Sequence, residues 1–86
     1  MVYKVDLHEM TVIESKVTLK KLLDTLSYDY DEVLIVHGYH GRILMDFVRK
    51  EFKHKRIKQI IISLNPGETS YLLKNKEEIQ EYKKRG

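Results

Sequence analysis

Val33-Leu34-Ile35-Val36 is an unbroken apolar run that ends in His37-Gly38-Tyr39-His40-Gly41-Arg42 and then enters a segment with helical periodicity. A run without polar alternation predicts a strand covered on both faces, and such strands belong to α/β sheets whose helices supply the cover. No other stretch restricts the fold as much. In open α/β sheets ligands gather beyond the carboxyl ends of the strands, so the histidine and glycine loop is where a site is expected. Gly38 and Gly41 permit a sharp turn or a close backbone approach. The amides that open the following helix suit an anion such as phosphate.

The flanking segments agree with this class. Val2 to Leu7 alternates as a half-buried strand, with Tyr3, Val5 and Leu7 on one face and Val2, Lys4 and Asp6 on the other. His8 follows the side of Asp6, so both can face one site. Thr11-Val12-Ile13-Glu14 has the spacing of a capping box and predicts a helix start. Val12, Leu19, Leu22, Leu23 and Leu26, with Ser15 among them, form its sheet-packing arc, and Ile13 and Val17 lie at the margin. The second strand is Glu32 to Val36. A helix from Ile43 to Phe52 follows, with Ile43, Leu44, Phe47 and Val48 as its core stripe. Ile57 to Leu64, with Ile60-Ile61-Ile62 at its centre, reads as a third buried strand. Two helical crossovers then imply parallel pairing of the strands they join. Asn65-Pro66-Gly67 predicts a turn in which glycine supplies a positive φ, and Thr69 to Leu73 returns antiparallel to the third strand. Asn75 to Gly86 opens on an Asn-x-x-Glu cap signal, has apolar spacing only at Ile79 and Tyr82, and reads as a charged C-terminal helix.

The 86 residues allow one core, placed in residues 1–74 with 75–86 as an extension. Hydrophobic residues at 42% and charged residues at 34% describe an ordinary folded domain. There is no cysteine, hence neither a disulfide framework nor a thiolate metal site. No apolar stretch approaches the ~20 residues of a membrane span, and the first residues lack a signal-peptide core, so a cytoplasmic location is expected. The net charge of +3 is unevenly spread. Arg49, Lys50, Lys53, Lys55, Arg56 and Lys58 face only Glu51 within their segment, leaving the remainder acidic. Such a cluster fits either a nucleic-acid backbone or a solvated helix end.

If the first two strands are parallel, Asp6 and His8 lie near His37 and His40. Imidazole works as acid or base near neutral pH, and a carboxylate beside it orients it or raises its basicity. Two such groups suit phosphodiester cleavage, one taking a proton from the attacking oxygen and the other protonating the leaving oxygen, with Arg42 and loop amides on the phosphate. The same four side chains also have the chemistry of a divalent-metal site, though no cofactor is required by the pattern. No nucleophile elbow, Walker sequence or complete dinucleotide fingerprint is present.

Val5-Asp6-Leu7-His8 resembles the Leu-Asp-Leu-His signature of the Smr (small MutS-related) domain. Val36-His37-Gly38-Tyr39-His40-Gly41 resembles that family's second, His-Gly signature. Order and separation fit as well, from about Val2 to Lys74. The resemblance implies a two-layer α/β sandwich of order β-α-β-α-β-β with a four-stranded mixed sheet, similar to the C-terminal domain of bacterial translation initiation factor three. It also implies nucleic-acid binding with DNA-nicking or RNA-cleaving activity. Asp6, His8, His37 and Gly38 inherit site roles, and so, less directly, do His40, Gly41 and Arg42. Two departures stand out. Glu9 occupies the place where the family usually has glycine, bringing a carboxylate to a surface expected to receive phosphate. Arg42 leads straight into Ile43-Leu44, where members often carry additional glycine.

The reading is therefore an endonuclease-like domain with Asp6, His8, His37 and His40 as its reacting groups. Gly38, Gly41, Arg42, Arg49, Lys50, Lys53, Lys55, Arg56 and Lys58 are its nucleic-acid contacts. The alternative is a non-catalytic module bound to DNA, RNA or a ribosome-like assembly, and a third reading is a protein-interaction domain using the C-terminal helix. A monomer without membrane attachment is expected.

Overall fold

The computed structural model describes residues 1–85, and the side chains of residues 1–80. Its elements are β1 (Val2–Asp6), α1 (Val12–Thr25), β2 (Glu32–Val36), α2 (Arg42–Asp46), a π-helical segment that continues α2 (Phe47–Glu51), β3 (Ile57–Ile62), β4 (Glu68–Leu73) and α3 (Lys76–Arg85). The strands form one mixed sheet of four in the order β1-β2-β4-β3. The core is a single cluster in which Leu19 and Leu23 of α1 and Leu44, Phe47 and Val48 of the second helical stretch meet Val33, Ile35, Tyr71 and Leu73 of the central strands.

The capping box forms: Glu14 N donates to Thr11 Oγ1 at 3.1 Å and Thr11 N to Glu14 Oε1 at 2.9 Å. Ser15, Leu19 and Leu23 are buried, as the helical arc requires, while Ile13 and Val17, at its margin, are exposed. The Asn75 cap signal is realised in the same reciprocal way, with Glu78 N on Asn75 Oδ1 at 2.8 Å and Asn75 N on Glu78 Oε1 at 3.0 Å. Ile79 is buried in α3, and Lys58 pairs with Glu78 at 3.2 Å, tying this helix to β3. The Tyr82 side chain lies outside the described residues.

The sheet corrects three readings. β1 and β2 pair in parallel, from Val2 opposite Glu32 to Asp6 opposite Val36, but β3 does not pair with β2. β4 lies between them, antiparallel to both, so β3 runs in the direction of β2 from the outer edge. Tyr71 explains the preference for β4 at the centre: its ring is fully buried and its hydroxyl donates to the Val48 carbonyl at 2.5 Å. A phenol that large stabilises most where its polar tip finds a partner. Ile60-Ile61-Ile62 therefore sits on an edge strand, with Ile61 and Ile62 exposed, and the register of β3 is interrupted between Ile57 and Gln59. β2 is likewise covered mainly on one side, with Val33 and Ile35 buried and Leu34 and Val36 half-buried. The turn at Asn65-Pro66-Gly67 forms without a positive φ at Gly67; Asn65 Oδ1 accepts from Gly67 N at 2.9 Å and closes it. Ile43, assigned to the core stripe, is instead exposed at the start of α2.

Candidate functional site

The parallel ladder continues one step past β1, with Leu7 N donating to the Val36 carbonyl at 2.7 Å. That bond buries Leu7 and leaves Asp6 and His8 on the outward side of the strand end. One Asp6 carboxylate oxygen accepts both His8 N, at 3.0 Å, and His8 Nδ1, at 2.5 Å. A carboxylate only accepts, so the proton is on Nδ1 and Nε2 carries the lone pair of the neutral ring. Nε2 has no hydrogen-bond partner among the described residues. Hydrogen bonding to Asp6, reinforced by its charge, raises the His8 pKa above the ordinary 6.5, and the same bond lowers that of Asp6. Both side chains are about half exposed, at 55% and 53%.

His37 ends the neighbouring strand in a different environment. It is 2% exposed, and both ring nitrogens are engaged. Nδ1 donates to the Gly38 carbonyl at 2.9 Å, while Nε2 lies 2.8 Å from Thr69 Oγ1. Thr69 Oγ1 also accepts from Arg49 Nε at 2.8 Å, and Arg49 Nη2 donates to the Glu68 carbonyl at 3.2 Å. The Thr69 hydroxyl proton is thus free to serve His37 Nε2, which satisfies every group when the ring is neutral. Burial, with the nearby charge of Arg49, lowers the His37 pKa. The backbone amides of His37 and Gly38 both donate to the Gly67 carbonyl, at 2.9 and 3.0 Å, tying the loop to the β3–β4 turn. Gly38 has φ of 77°, the left-handed conformation that its place in the turn demands.

Between the two strand ends lies a cleft of about 540 Å³. Its β1–α1 side is His8, Glu9, Met10, Thr11 and Val12; its other side is His37 to Gly41, with Ile43 and Leu44. The two sides are close: a Cβ on Gly38 would stand 3.8 Å from His8 Cβ. His40 is exposed, its ring 4.6 Å from that of Tyr39, and Arg42 is exposed at the first position of α2 with no partner among the described residues. Glu9 has φ of 70°, the only positive φ at a non-glycine residue among those described. Among the described residues no three histidine or acidic side chains converge as metal ligands.

The basic segment is not one surface. β3 runs parallel to β2 and lies on the opposite edge of the sheet from β1, so residues leading into β3 sit at the far end of the sheet from His8, displaced by about 16 Å along the strand direction alone. Arg49 reaches back to Thr69, as above. Arg56 is 3% exposed and is a cap for α1: its guanidinium donates to the carbonyls of Leu23 at 3.3 Å, Leu26, and Ser27 at 2.9 Å, and lies 4.3 Å from the Tyr28 ring centre. It is a structural group and not a phosphate contact. Lys50 is 3.8 Å from Asp46 and Lys58 pairs with Glu78. Lys53 and Lys55 are exposed without partners among the described residues.

The sequence pattern marked no site role for Thr69 or the cleft-lining Tyr39, and it placed the cleft-lining Ile43 in the core. Thr69 had a usable signal, a hydroxyl on the inward face of a strand, opposite Ile35. Tyr39 and Ile43 had none, because core and cleft residues share the same composition.

Fold and site together define a small α/β domain with a carboxylate-paired histidine and a glycine-turned loop at the carboxyl edge of two parallel strands. The chain matches the family model of the Smr domain over residues 5–84 and belongs to that family, which is known for nucleic-acid binding and nuclease activity. The match continues through most of α3. The structure is similar to the Smr domain of Thermus thermophilus MutS2, with a TM-score of 0.73 at 20% identity, covering 84% of this chain and 98% of that one. A search of curated protein sequences found no significant match. No helix among the described residues is long and apolar enough to cross a membrane.

Proposed function

We propose that this Smr domain binds nucleic acid and cleaves its phosphodiester backbone, with Asp6 and His8 as the reacting pair. The observation that carries this is the 2.5 Å Asp6–His8 contact in an exposed position beside an open cleft. Asp6 fixes the tautomer and stabilises the imidazolium, and His8 Nε2 takes the proton of the attacking hydroxyl or water. His40, exposed on the same cleft, protonates the leaving oxygen. Arg42 neutralises the phosphate at the rim. His37 and Gly38 hold the loop, and Arg49 and Thr69 hold His37. Lys53 and Lys55, with Lys50 and Lys58 beside them, contact backbone farther along a bound chain.

The test is cleavage of supercoiled DNA and of a structured single-stranded RNA by wild type and His8→Ala. The expected result is cleavage of at least one substrate and a loss of about a hundredfold or more in the variant, the usual contribution of a positioned acid-base group. Equal rates would remove the Asp6–His8 pair from the chemistry.

A further inference from the structure

The cleft beside His8 is a poor place for a phosphate. Met10, Val12, Ile43 and Leu44 give it apolar walls, and the one carboxylate among its lining residues is that of Glu9. A phosphate inside would lose water against apolar surface and meet a like charge. A nucleobase has the complementary properties: apolar faces, a polar edge and no charge. The volume of about 540 Å³ lies within the range of roughly 300–1,000 Å³ usual for small-ligand sites. Tyr39 and Ile43 stand at its mouth 61% and 76% exposed, offering a ring and an aliphatic surface on which a base can lie.

Glu9 narrows the choice of base. Its backbone is held in the left-handed region, which is strained for any residue with a Cβ, and its carboxylate, whose charge also acts on the neighbouring His8, makes no hydrogen bond among the described residues. A carboxylate has two acceptor oxygens and no donor. Guanine alone presents two adjacent donors, N1–H and N2–H, on its Watson–Crick edge; adenine and cytosine offer one donor beside an acceptor, and uracil or thymine one donor between carbonyls. That edge is occupied in a duplex and free in a single strand.

We propose that this cleft is a base subsite whose occupant is an unpaired guanine, its N1–H and N2–H donating to Glu9 and its ring lying against Tyr39 and Ile43. This rests on the nucleic-acid reading above and adds the substrate class: single-stranded nucleic acid with a guanine next to the phosphodiester presented to His8.

The test is binding, by fluorescence anisotropy, of a short labelled oligouridine carrying one central guanosine, in ribose and deoxyribose forms. The comparison strands replace that guanosine with inosine, adenosine, uridine or an abasic residue, or anneal it to a complement. The guanosine strand is expected to bind about tenfold or more tightly than the uridine strand, the size of a charge-assisted hydrogen bond. Inosine, which lacks the N2 amine, should fall between them, and the duplex should show no guanine preference. The guanosine-to-uridine ratio should approach one in Glu9→Gln and in Glu9→Gly, the second of which suits the backbone. Equal binding of guanosine, inosine and abasic strands, or a preference that survives in both Glu9 variants, overturns the base subsite while leaving nucleic-acid binding intact. Absence of binding to every strand and to the duplex overturns the nucleic-acid reading, and the subsite with it.

Discussion

His8 and His37 end adjacent parallel strands, each just past the last paired residue, and as letters in a sequence they are equivalent. Their surroundings are opposite. His8 is half exposed, bonded through Nδ1 to a carboxylate, with Nε2 open and its pKa raised. His37 is buried, bonded through both nitrogens to Gly38 and Thr69, with its pKa lowered. The difference is which side of the strand end each faces. β1 is an edge strand and its final residues have an outward side, whereas β2 is flanked by β1 and β4 and its terminal histidine is roofed by Arg49 and the β3–β4 turn. A histidine at a strand end is thus chemical or architectural according to the position of its strand in the sheet.

The largest expected effects separate these roles directly. His8→Ala should lower cleavage about a hundredfold or more while moving the urea midpoint at pH 8 far less than His37→Ala does, because it removes no buried contact. His37→Ala should do the reverse in kind, destabilising by about 2 kcal/mol through a lost buried ring and an unserved Thr69 hydroxyl. A variant pair that behaves alike in urea would break the contrast.

The pH dependence gives the two histidines opposite signs. The folded-state pKa of His37 lies below its unfolded value near 6.5, so its contribution to stability is complete above that value and lost as pH falls through the folded pKa. His8, with a raised pKa, contributes below 6.5 and loses that contribution as pH rises through its folded value. The fall of the urea midpoint from pH 8 to pH 4 should therefore be less steep in His37→Gln than in wild type, and the fall of the midpoint above pH 6.5 less steep in Asp6→Asn.

Smaller effects concern charge and strain. Lys53→Glu with Lys55→Glu should reduce the salt slope for long duplex DNA by about 0.9 log units per lost phosphate contact and leave short oligonucleotides nearly unaffected, since the two lysines lie at the far end of the sheet from His8. An equal loss for short and long substrates would place both sites on one path. Glu9→Gly should stabilise by about 0.5 kcal/mol in urea unfolding, relief of the left-handed backbone being partly offset by the greater entropy of unfolded glycine.

Much of this was legible in the sequence for definite reasons. Thr11 with Glu14 and Asn75 with Glu78 are local signals, and local signals fixed both helix starts. Strand identities followed from alternation and β-branching. Strand order did not, because Ile60-Ile61-Ile62 is more apolar than Thr69-Ser70-Tyr71, yet the latter takes the centre through one long-range hydroxyl bond to Val48. The pairing of Asp6 with His8 was readable from their two-residue spacing, as was the convergence of both histidine motifs on one edge. The internal use of Arg49 and Arg56 was not, since their partners Thr69 and the Leu23 to Ser27 carbonyls are 20 or more positions away in sequence.

The most direct test is an NMR titration of the imidazole nitrogens of His8 and His37 in wild type and Asp6→Asn. The expected result is a His8 inflection above 6.5 that drops in Asp6→Asn, and a His37 inflection below 6.5, with the proton of the neutral ring on Nδ1. A His37 that titrates at or above 6.5, or a His8 indifferent to Asp6, would contradict the division of labour between the two strand ends.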